Sequence, residues 1–520
     1  MLATSLLTAA LLVAPALAGS AGDWRTRTIY QLLTDRFATP DGSSPTCNTG
    51  DRKYCGGTWK GITTKLDYIQ GMGFDSIWIS PVVANVEGKT AYGEAFHGYW
   101  TQNIDALNPH FGTADDLVNL SRELHKRNMY LMVDVVVNHV AAPTNPPDFS
   151  IYTPFNQASQ FHPEVFIQGD DYTNNQTAVE QGWLGDTNLP LADINTEDPN
   201  IVSIYNNWIS ALVKNYTIDG IRIDTVKHVR QDFWPDFAKA AGVYTVGEVL
   251  DDKPSYLAPY TKVIDSVLDY STYFKVFPAF SSTSGNMSAI ADFVQQAQGE
   301  FSNGEFFVGS FIENHDQPRL QSATKDQSLV MNAMAWPFVQ DGIPILYYGQ
   351  EQGFAGGNDP DNREALWSSG YATDKPLVQH VKKLNAARRA AASALPEFYA
   401  NAAKFLVATP NTLAVSKPPM LALLSNSGSG SSPQWDVPNA GFKANEELVD
   451  VVGCGKVKAD GNGGVSVKGN NGMPQILMPS SAAGSVCSGS GTQGSSASRS
   501  PVHVFGVVLA TVVSVAMSFL

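Results

Sequence analysis

The sequence is short of basic residues and of cysteine, and it contains no internal repeat. The chain has 34 Lys and Arg residues and 49 Asp and Glu residues, which gives a formal net charge of −15. Its basic residues form no stripe along the sequence. This balance argues against nucleic acid or another polyanion as a partner. Aromatic residues make up 10% of the 520 residues. Acid excess with many Trp and Tyr side chains suits a neutral polar ligand such as a sugar, although solvated surface acids alone would give the same charge.

Both ends of the chain read as targeting segments. Residues 1–18 form an apolar run that closes on Ala16-Leu17-Ala18, although no positive charge precedes it. This pattern predicts a signal peptide and secretion. Residues 488–500 are rich in Gly and Ser, and residues 502–520 form an apolar tail that no Lys or Arg follows. The tail predicts a GPI-anchor signal with attachment near Gly494 or Ser495; a transmembrane anchor is the alternative.

The four cysteines fit an oxidising compartment. Cys47 and Cys55 would close a short loop and Cys454 and Cys487 a longer one, but three pairings are possible and the sequence prefers the local ones only weakly. Acceptor sites for N-glycosylation agree with secretion, and they lie at Asn119, Asn175, Asn215 and Asn286.

Short apolar runs alternate with helical segments over most of the chain. The helical segment 115–127, for example, precedes an apolar run at 130–137. Strand, helix and strand at this spacing predict a parallel sheet with crossover helices, and eight such strands predict an α/β fold of the (β/α)8 TIM-barrel type. The eight predicted strands begin at Thr28, Ser76, Tyr130, Gly220, Val243, Ser266, Phe306 and Gly342, and the seventh extends to Phe311.

Two regions depart from this alternation. Residues 141–193 are rich in Pro, Asn, Asp and Tyr without a helical period, which predicts a small inserted domain after strand three. Short β-like runs between Gly, Ser, Asn and Pro turns predict a C-terminal antiparallel β-sandwich. The predicted domains are therefore the signal peptide (1–18), the barrel (19–140 and 194–400), the inserted domain (141–193), the β-sandwich (401–487) and a linker with anchor signal (488–520).

Three acids stand where predicted barrel strands end. Asp224 follows strand four, Glu248 strand five and Asp316 strand seven. The carboxyl ends of barrel strands form the catalytic rim of this architecture, whereas a structural ion pair is the alternative for any one acid alone. Glycoside hydrolysis requires one ionised and one protonated carboxyl group, about 5 Å apart when configuration is retained. The pattern therefore favours a glycosidase.

Four motifs carry a family resemblance. They are Asp134-Val-Val-Val-Asn-His139, Gly220-Ile-Arg-Ile-Asp-Thr-Val-Lys-His228, Gly247-Glu-Val-Leu-Asp251 and Phe311-Ile-Glu-Asn-His-Asp316. In this order they resemble the four signature regions of the α-amylase family, glycoside hydrolase family 13. Residues 90–100 and 349–360 are similar to the secreted fungal α-amylases, and the C-terminal tail is similar to their GPI-anchored relatives.

The resemblance implies a division of labour among the acids. Asp224 would be the nucleophile, Glu248 the general acid and base, and Asp316 the third acid that binds sugar hydroxyls. Arg222 lies two residues before Asp224 on the same strand face, so its charge would keep Asp224 ionised. Glu248 has no such partner in the sequence, and a more apolar setting would keep it protonated near neutral pH.

The resemblance also implies a set of substrate-binding residues. Two aromatic residues would form a stacking platform, two histidines would donate hydrogen bonds in the cleaved subsite, and charged residues would line the leaving-group side and the glycone side. Core packing for the aromatic residues and histidines, and ordinary surface charge for the others, are the alternatives. The stacking platform would be Tyr99 and Trp100, and the two histidines would be His139 and His315. Lys227 and His228 would line the leaving-group side, Asp359 and Arg363 the glycone side, and Arg222 would lie beside the acids.

A calcium ion is the cofactor that the resemblance implies. The side chains of Asn138 and Asp193, with the backbone carbonyls of Glu180 and His228, would bind Ca²⁺ where the inserted domain meets the barrel. Oxygen ligands suit this hard cation. We expect the ion to be structural, because it would fix the loops that carry the catalytic residues.

The chain departs from the family pattern near the acceptor side. Secreted relatives carry two further disulfides, whose positions are held here by Val165 and Gly182 and by Ala258 and Ser302. The segment 169–174 looks longer, which leaves Tyr172 as the candidate leaving-group aromatic. Asp252 stands where the relatives tend to have Gly.

The sequence therefore predicts a monomeric, surface-anchored, retaining glycosidase that cleaves internal α-1,4-glucosidic bonds of starch-like glucans or maltooligosaccharides. One alternative is a 4-α-glucanotransferase that remodels cell-wall α-glucan, because the same acids serve both reactions. Another is an inactive glucan-binding surface protein, which would be expected to have a damaged acid triad.

Overall fold

The computed structural model describes residues 19–484 and 486–487. The predicted signal peptide and the predicted linker with its anchor signal lie outside the described residues. Within the described part of the chain, no helix combines the length and the apolar character that crossing a bilayer requires.

Eight parallel strands form a closed barrel. Strands one to six pair in chain order, strands seven and eight pair with each other, and strand eight returns to strand one. A parallel bridge between Leu268 and Gly309 closes the circle between strands six and seven. Strands one, two, four, five and eight are buried along their whole length, which explains their near-continuous apolar sequences. The strands are Ile29–Leu32, Ser76–Ile79, Tyr130–Val135, Gly220–Ile223, Tyr244–Gly247, Ser266–Val267, Gly309–Ser310 and Ile343–Tyr347.

Helices surround the barrel and are delimited by local capping. Thr113 and Asp116 form a capping box at the start of Ala114–Lys126, and Asp198 caps Pro199–Tyr216, which Thr217 ends in the left-handed conformation. The other helices of six or more residues in the barrel are Trp59–Thr64, Leu66–Gly71, Trp234–Ala241, Tyr270–Ser281, Ser288–Glu300, Gln327–Val339 and Pro376–Ala394.

Strand seven is shorter than predicted. Only Gly309–Ser310 pairs with strand eight, while Ser302–Glu305 forms a separate short strand. Phe306 and Phe307 leave the sheet and lie under the guanidinium of Arg25. The sequence predicts a strand from Phe306 because aromatic residues have high β propensity. In the structure Phe306 and Phe307 instead pack outside the sheet, against Arg25.

The inserted segment has its own small sheet. His139–Ala141, Leu184–Asp186 and Leu189–Asp193 form three antiparallel strands. The segment also contains two short helices, Asp171–Asn174 and Gln176–Gln181. These helices are too short to show a period in the sequence.

The C-terminal region is an antiparallel β domain. A six-stranded sheet and a two-stranded sheet enclose an apolar core around Trp435, Leu421 and Leu477. In spatial order, the larger sheet consists of Lys404–Ala408, Thr412–Lys417, Met420–Ser425, Gln475–Pro479, Glu447–Asp450 and Lys456–Lys458, and the smaller one of Gln434–Val437 and Val465–Lys468.

Both local disulfide pairings are confirmed. Cys47 is bonded to Cys55 and Cys454 to Cys487. At Ala258 and Ser302, the positions for which the family resemblance implies a disulfide in secreted relatives, hydrogen bonds join the two segments: Ser302 N–H donates to Thr261 Oγ1 at 3.1 Å, and Ser302 Oγ donates to the same atom at 2.9 Å.

A carboxyl group without a hydrogen-bond partner lies beneath the barrel. Both carboxyl oxygens of Glu305 are buried and unpartnered. Burial raises the pKa of Glu305 well above its ordinary value, the nearby acids Asp269 and Asp341 raise it further, and Lys417 opposes them. Glu305 is therefore neutral in the folded protein over a wide pH range.

We expect Glu305→Gln to raise thermal stability increasingly as pH rises. In the unfolded chain Glu ionises near pH 4.3. Above that pH the folded protein keeps a proton that the unfolded chain has lost, so the free energy of unfolding falls by about 1.4 kcal/mol per pH unit until the folded pKa is reached. Calorimetry should show a Tm gain of several degrees at pH 8 and little change at pH 4. Glu447→Gln, at an exposed strand position, is the control. Equal Tm differences at both pH values for Glu305→Gln would contradict the assignment.

Candidate active site

Arg222 is the centre of an acidic cluster at the carboxyl ends of strands three to five. Its buried Nη1 atom donates to Asp224 Oδ1 at 2.7 Å and to Asp134 Oδ1 at 2.9 Å. Its Nη2 atom lies 3.0 Å from Glu248 Oε2. Strand register explains these contacts, because Arg222 is opposite Asp134 on one side and Val246 on the other. One guanidinium thus offsets the mutual repulsion of three buried carboxyl groups.

Glu248 combines this contact with deep burial. Glu248 has no cationic neighbour along its own strand, but the barrel brings Arg222 from the adjacent strand to its carboxyl group. Burial nevertheless raises the pKa of Glu248 to about 8; Arg222 opposes the rise, and Asp224 and Asp316 add to it. The group is therefore protonated at neutral pH, as a general acid must be.

Thr225 forms hydrogen bonds with both Asp224 and Glu248. Its backbone N–H donates to Glu248 Oε2 at 3.1 Å, and its hydroxyl donates to Asp224 Oδ2 at 3.1 Å. Its φ is 49°, a left-handed conformation that β-branched residues rarely adopt. Backbone strain of this kind is maintained at functional sites by the surrounding structure.

Asp134 forms the floor of the cluster. Its Oδ2 atom accepts hydrogen bonds from Tyr99 Oη at 2.6 Å and from Trp78 Nε1 at 3.1 Å. Burial raises the pKa of Asp134 to about 7, and Arg222 opposes this. Sequence reasoning quoted Asp134 within a motif but assigned it no role. Its position indicates that it orients Arg222 and Tyr99.

The two predicted histidines are buried beside the acids. Gln31 Nε2 donates to His315 Nδ1 at 3.0 Å, so the ring proton is on Nε2, which lies 3.2 Å from Asp316 Oδ2. Burial and the charge of Arg222 hold the pKa of His315 well below its ordinary value. Burial also lowers the pKa of His139. Both rings are therefore neutral and can donate hydrogen bonds to hydroxyl groups.

A chain of ion pairs extends from Asp316 along the rim. Asp316 Oδ1 is 3.4 Å from Arg363 Nη2, and Arg363 Nε is 3.1 Å from Asp359 Oδ1. All three side chains line a cavity of about 310 Å³. Asp359 and Arg363, for which ordinary surface charge was the alternative, thus contact each other, and Arg363 also contacts Asp316.

The same cavity contains the predicted aromatic residues. Tyr99 stacks on His315 with ring centroids 4.9 Å apart, while Trp100 is partly exposed to the cavity. His139, Asp224 and Glu248 complete this part of the wall.

Lys227 and His228 lie outside the cavity, on the side of the strand-five loop. Lys227 Nζ donates to the Leu250 carbonyl at 2.7 Å and lies 4.7 Å from the ring centroid of Tyr172. The ring of His228 faces the Val179 carbonyl at 2.9 Å. Both residues are buried, so Lys227 is not a surface charge. The ring of Tyr172 also contacts His228, which brings Tyr172 to the predicted leaving-group side.

Three of the four predicted calcium ligands converge. The side-chain amide of Asn138 lies 2.8 Å from the His228 carbonyl oxygen and 2.9 Å from Asp193 Oδ1, and all three residues are buried. The second oxygen of Asp193 accepts from His162 Nδ1 at 2.6 Å. The Glu180 side chain contacts Gln176 instead, and its backbone carbonyl has no described contact in this group. Among residues 19–484 and 486–487, no cluster of three or more His, Cys, Asp or Glu side chains could hold a metal ion. The four predicted calcium ligands are not a cluster of that kind, because they combine backbone carbonyl and side-chain amide oxygens with a single carboxylate. Oxygen donors of these types fit Ca²⁺.

Sequence reasoning missed several residues of the site. Gln31 fixes a histidine tautomer, Thr225 contacts two acids, and Arg52 and Tyr92 line the cavity from distant loops. Thr225 stands inside a signature motif, and Tyr92 lies in the 90–100 stretch that resembles the fungal relatives, but neither was assigned a role. The others are brought in by tertiary contacts that no local pattern indicates.

Comparison with known proteins agrees with this geometry. The family described as "Alpha amylase, catalytic domain" matches residues 31–449, and "Alpha-amylase, domain C" matches residues 405–496. The chain is 45% identical over 479 residues to alpha-amylase 1 of Schwanniomyces occidentalis, covering 91% of this chain and 92% of the relative. It is 43% identical over 472 residues to an alpha-amylase of Saccharomycopsis fibuligera, covering 90% and 94%.

A solved structure shows the same architecture. The alpha-amylase from Malbranchea cinnamomea is similar with a TM-score of 0.88 and 42% identity, covering 90% of this chain and 99% of that protein.

Proposed function

The chain belongs to the α-amylase family and is a glycosidase of the α-amylase type, and from this premise we propose that it hydrolyses internal α-1,4-glucosidic bonds with retention of configuration. The observation that carries the proposal is the contact of one guanidinium with both Asp224 and Glu248. Because the two terminal nitrogens of Arg222 contact one oxygen of each acid, the two carboxyl groups lie against the same guanidinium. A retaining mechanism needs a separation of about 5 Å.

The chemistry follows from the environments of the two acids. Glu248, kept protonated by burial, donates its proton to the leaving-group oxygen as the glycosidic bond breaks. Asp224, paired with Arg222, attacks the anomeric carbon and forms a glycosyl ester. The resulting Glu248 carboxylate then takes a proton from water, whose oxygen displaces Asp224. The product keeps the α configuration, and both acids return to their initial states.

Neighbouring residues would orient the sugar. The neutral rings of His139 and His315 donate hydrogen bonds to hydroxyls of the unit being cleaved, and Asp316 accepts them. Tyr99 and Trp100 supply aromatic surface beside these groups. Asp359 and Arg363 would contact the glycone side, and Lys227, His228 and Tyr172 the leaving-group side.

Secretion and anchoring at the cell surface complete the proposal. The apolar segment 1–18, the Gly/Ser-rich linker and the terminal apolar tail support it. The substrate would then be an extracellular or wall-associated α-glucan, and the protein would act as a monomer.

The test is product analysis by mass spectrometry after incubation of residues 19–490 with a single maltooligosaccharide. Hydrolysis predicts only shorter products. Glu248→Gln should lower kcat by about 10²–10⁴-fold, because the proton donor is lost. Glu351→Gln is the matched control, since Glu351 is also buried but accepts hydrogen bonds from Tyr30 and Tyr68, away from the acids.

Other product patterns would indicate a different function. Products longer than the input, absent in Glu248→Gln, would indicate a 4-α-glucanotransferase. Retained glucan binding without any change in chain length would indicate an inactive binding protein.

We further propose that Ca²⁺ binds at Asn138, Asp193 and the carbonyl of His228, with Glu180 contributing its carbonyl. Bound there, the ion would neutralise Asp193 and cross-link the inserted domain to the strand-four loop. The ion would thereby fix the backbone between Asp224 and His228.

Calcium should therefore stabilise the fold. We expect millimolar Ca²⁺ to raise the Tm of chelator-treated protein by several degrees, because the ion binds only the folded state. Asp193→Asn should abolish most of this gain, whereas Asp186→Asn, also on the inserted sheet, should keep it. An equal calcium effect in wild type and Asp193→Asn would refute the site.

A further inference from the structure

The two short helices of the inserted domain, residues 171–181, pack against the loops that follow strands four and five. We call these residues the helix pair. Gln176 Nε2 donates to the Lys227 carbonyl at 3.4 Å, and the ring centroid of Tyr172 lies 4.7 Å from Lys227 Nζ. Lys227 Nζ also donates to the Leu250 carbonyl at 2.7 Å. The helix pair is therefore connected to both loops through one lysine.

These contacts place the helix pair on the leaving-group side of the site. Lys227 follows Asp224 in the strand-four loop, and Leu250 follows Glu248 in the strand-five loop. Because Glu248 protonates the leaving-group oxygen, the loop after it belongs to the leaving-group side; this step rests on the proposed function. A glucan chain that continues beyond the scissile bond in this direction passes the helix pair.

An acceptor sequence for N-glycosylation lies at the turn between the two helices. It consists of Asn175, Gln176 and Thr177, and all three residues are exposed. Asn175 Oδ1 accepts from the Ala178 N–H at 3.2 Å and so caps the second helix. Asn175 Nδ2 has no hydrogen-bond partner within the part of the chain that the structure describes. A sugar bonded to Nδ2 would therefore leave the cap intact and displace no other contact.

We propose that Asn175 carries an N-linked glycan that restricts the access of long α-glucans to the leaving-group side. The glycan comes from a lipid pyrophosphate donor during secretion. A bond forms between Asn175 Nδ2 and the anomeric carbon of the first N-acetylglucosamine, the lipid pyrophosphate leaves, and the amide releases one proton.

The size of the glycan gives it a role in substrate choice. An N-linked glycan is bulky and lies at the protein surface. A short maltooligosaccharide ends before it reaches Asn175, whereas a long or branched glucan has to pass the glycan. A steric obstacle of this kind discriminates between two substrates that the same acids can cleave.

The first measurement determines whether Asn175 is modified. The full chain is purified from a yeast host that performs N-glycosylation, and its glycans are removed by peptide N-glycosidase in heavy-oxygen water. This treatment converts each glycosylated Asn into labelled Asp, which peptide mass spectrometry locates. We expect the label at Asn175. An unlabelled Asn175 overturns the proposal.

The second measurement compares kcat/KM for soluble starch with kcat/KM for maltopentaose. Asn175→Gln and Thr177→Ala each remove the glycan, and Thr177→Ala keeps the side chain that caps the helix. We expect the starch-to-maltopentaose ratio to rise about three- to tenfold in both variants, mainly through a lower KM for starch. The values for maltopentaose should stay at those of wild type.

Asn215→Gln is the matched control. Asn215 is an exposed acceptor on the helix Pro199–Tyr216, which ends just before strand four begins. It therefore lies at the end of the barrel opposite the acids, which stand where the strands end. The substrate ratio of this variant should equal that of wild type, and an increase as large as that in Thr177→Ala would contradict a local effect of the Asn175 glycan.

Failure of the inference and of the proposed function are distinguishable. An active wild type whose substrate ratio is unchanged in Thr177→Ala overturns the role of the glycan in substrate choice. If Asn175→Gln does not fold, Thr177→Ala still decides, because its helix cap is intact. A wild type that cleaves neither substrate overturns the proposed function and, with it, the role in substrate choice, while the labelling of Asn175 is read without any activity.

Discussion

The site depends on a single buried cation. Arg222 contacts carboxyl groups from three adjacent strands, and burying any of these acids without it would cost several kcal/mol. The same contact gives the two reacting acids different tasks. Asp224 is paired closely with the guanidinium, whereas burial overcomes the effect of the guanidinium at Glu248 and leaves that group protonated. Strand register places the arginine, so the barrel itself determines where Glu248 and Asp224, the proposed acid and nucleophile, stand.

Around this centre, short polar contacts hold the loops of the rim. Gln31 fixes the tautomer of His315, Thr225 bridges the two acids from a strained conformation, and Arg52 ties the first loop to the last. A hydrogen bond from Ser302 to Thr261 joins the segment before strand seven to the segment before strand six. The inserted sheet is joined to the barrel through Asn138 and Asp193, the residues to which a calcium ion would bind. Rigidity at the site is therefore distributed over many weak contacts.

The sequence indicates the barrel well because its strands are apolar and buried, and strand ends locate Asp224, Glu248 and Asp316. Prediction from the sequence fails where a contact between distant parts of the chain determines the surroundings of a residue. The partner of Glu248 is on another strand, so no local pattern reveals it. Phe306 and Phe307 resemble strand residues but pack against Arg25. Arg52 and Tyr92 precede the motifs by many residues and reach the cavity only through folded loops.

The most direct test of this account is to trap the glycosyl ester. A fluorinated α-glucosyl fluoride slows the second step of a retaining reaction, so the covalent adduct accumulates and can be located by peptide mass spectrometry. The account predicts one adduct, on Asp224, because Glu248 is protonated and Asp224 is paired with Arg222. An adduct on Glu248, or hydrolysis that inverts the anomeric configuration without any adduct, would contradict it.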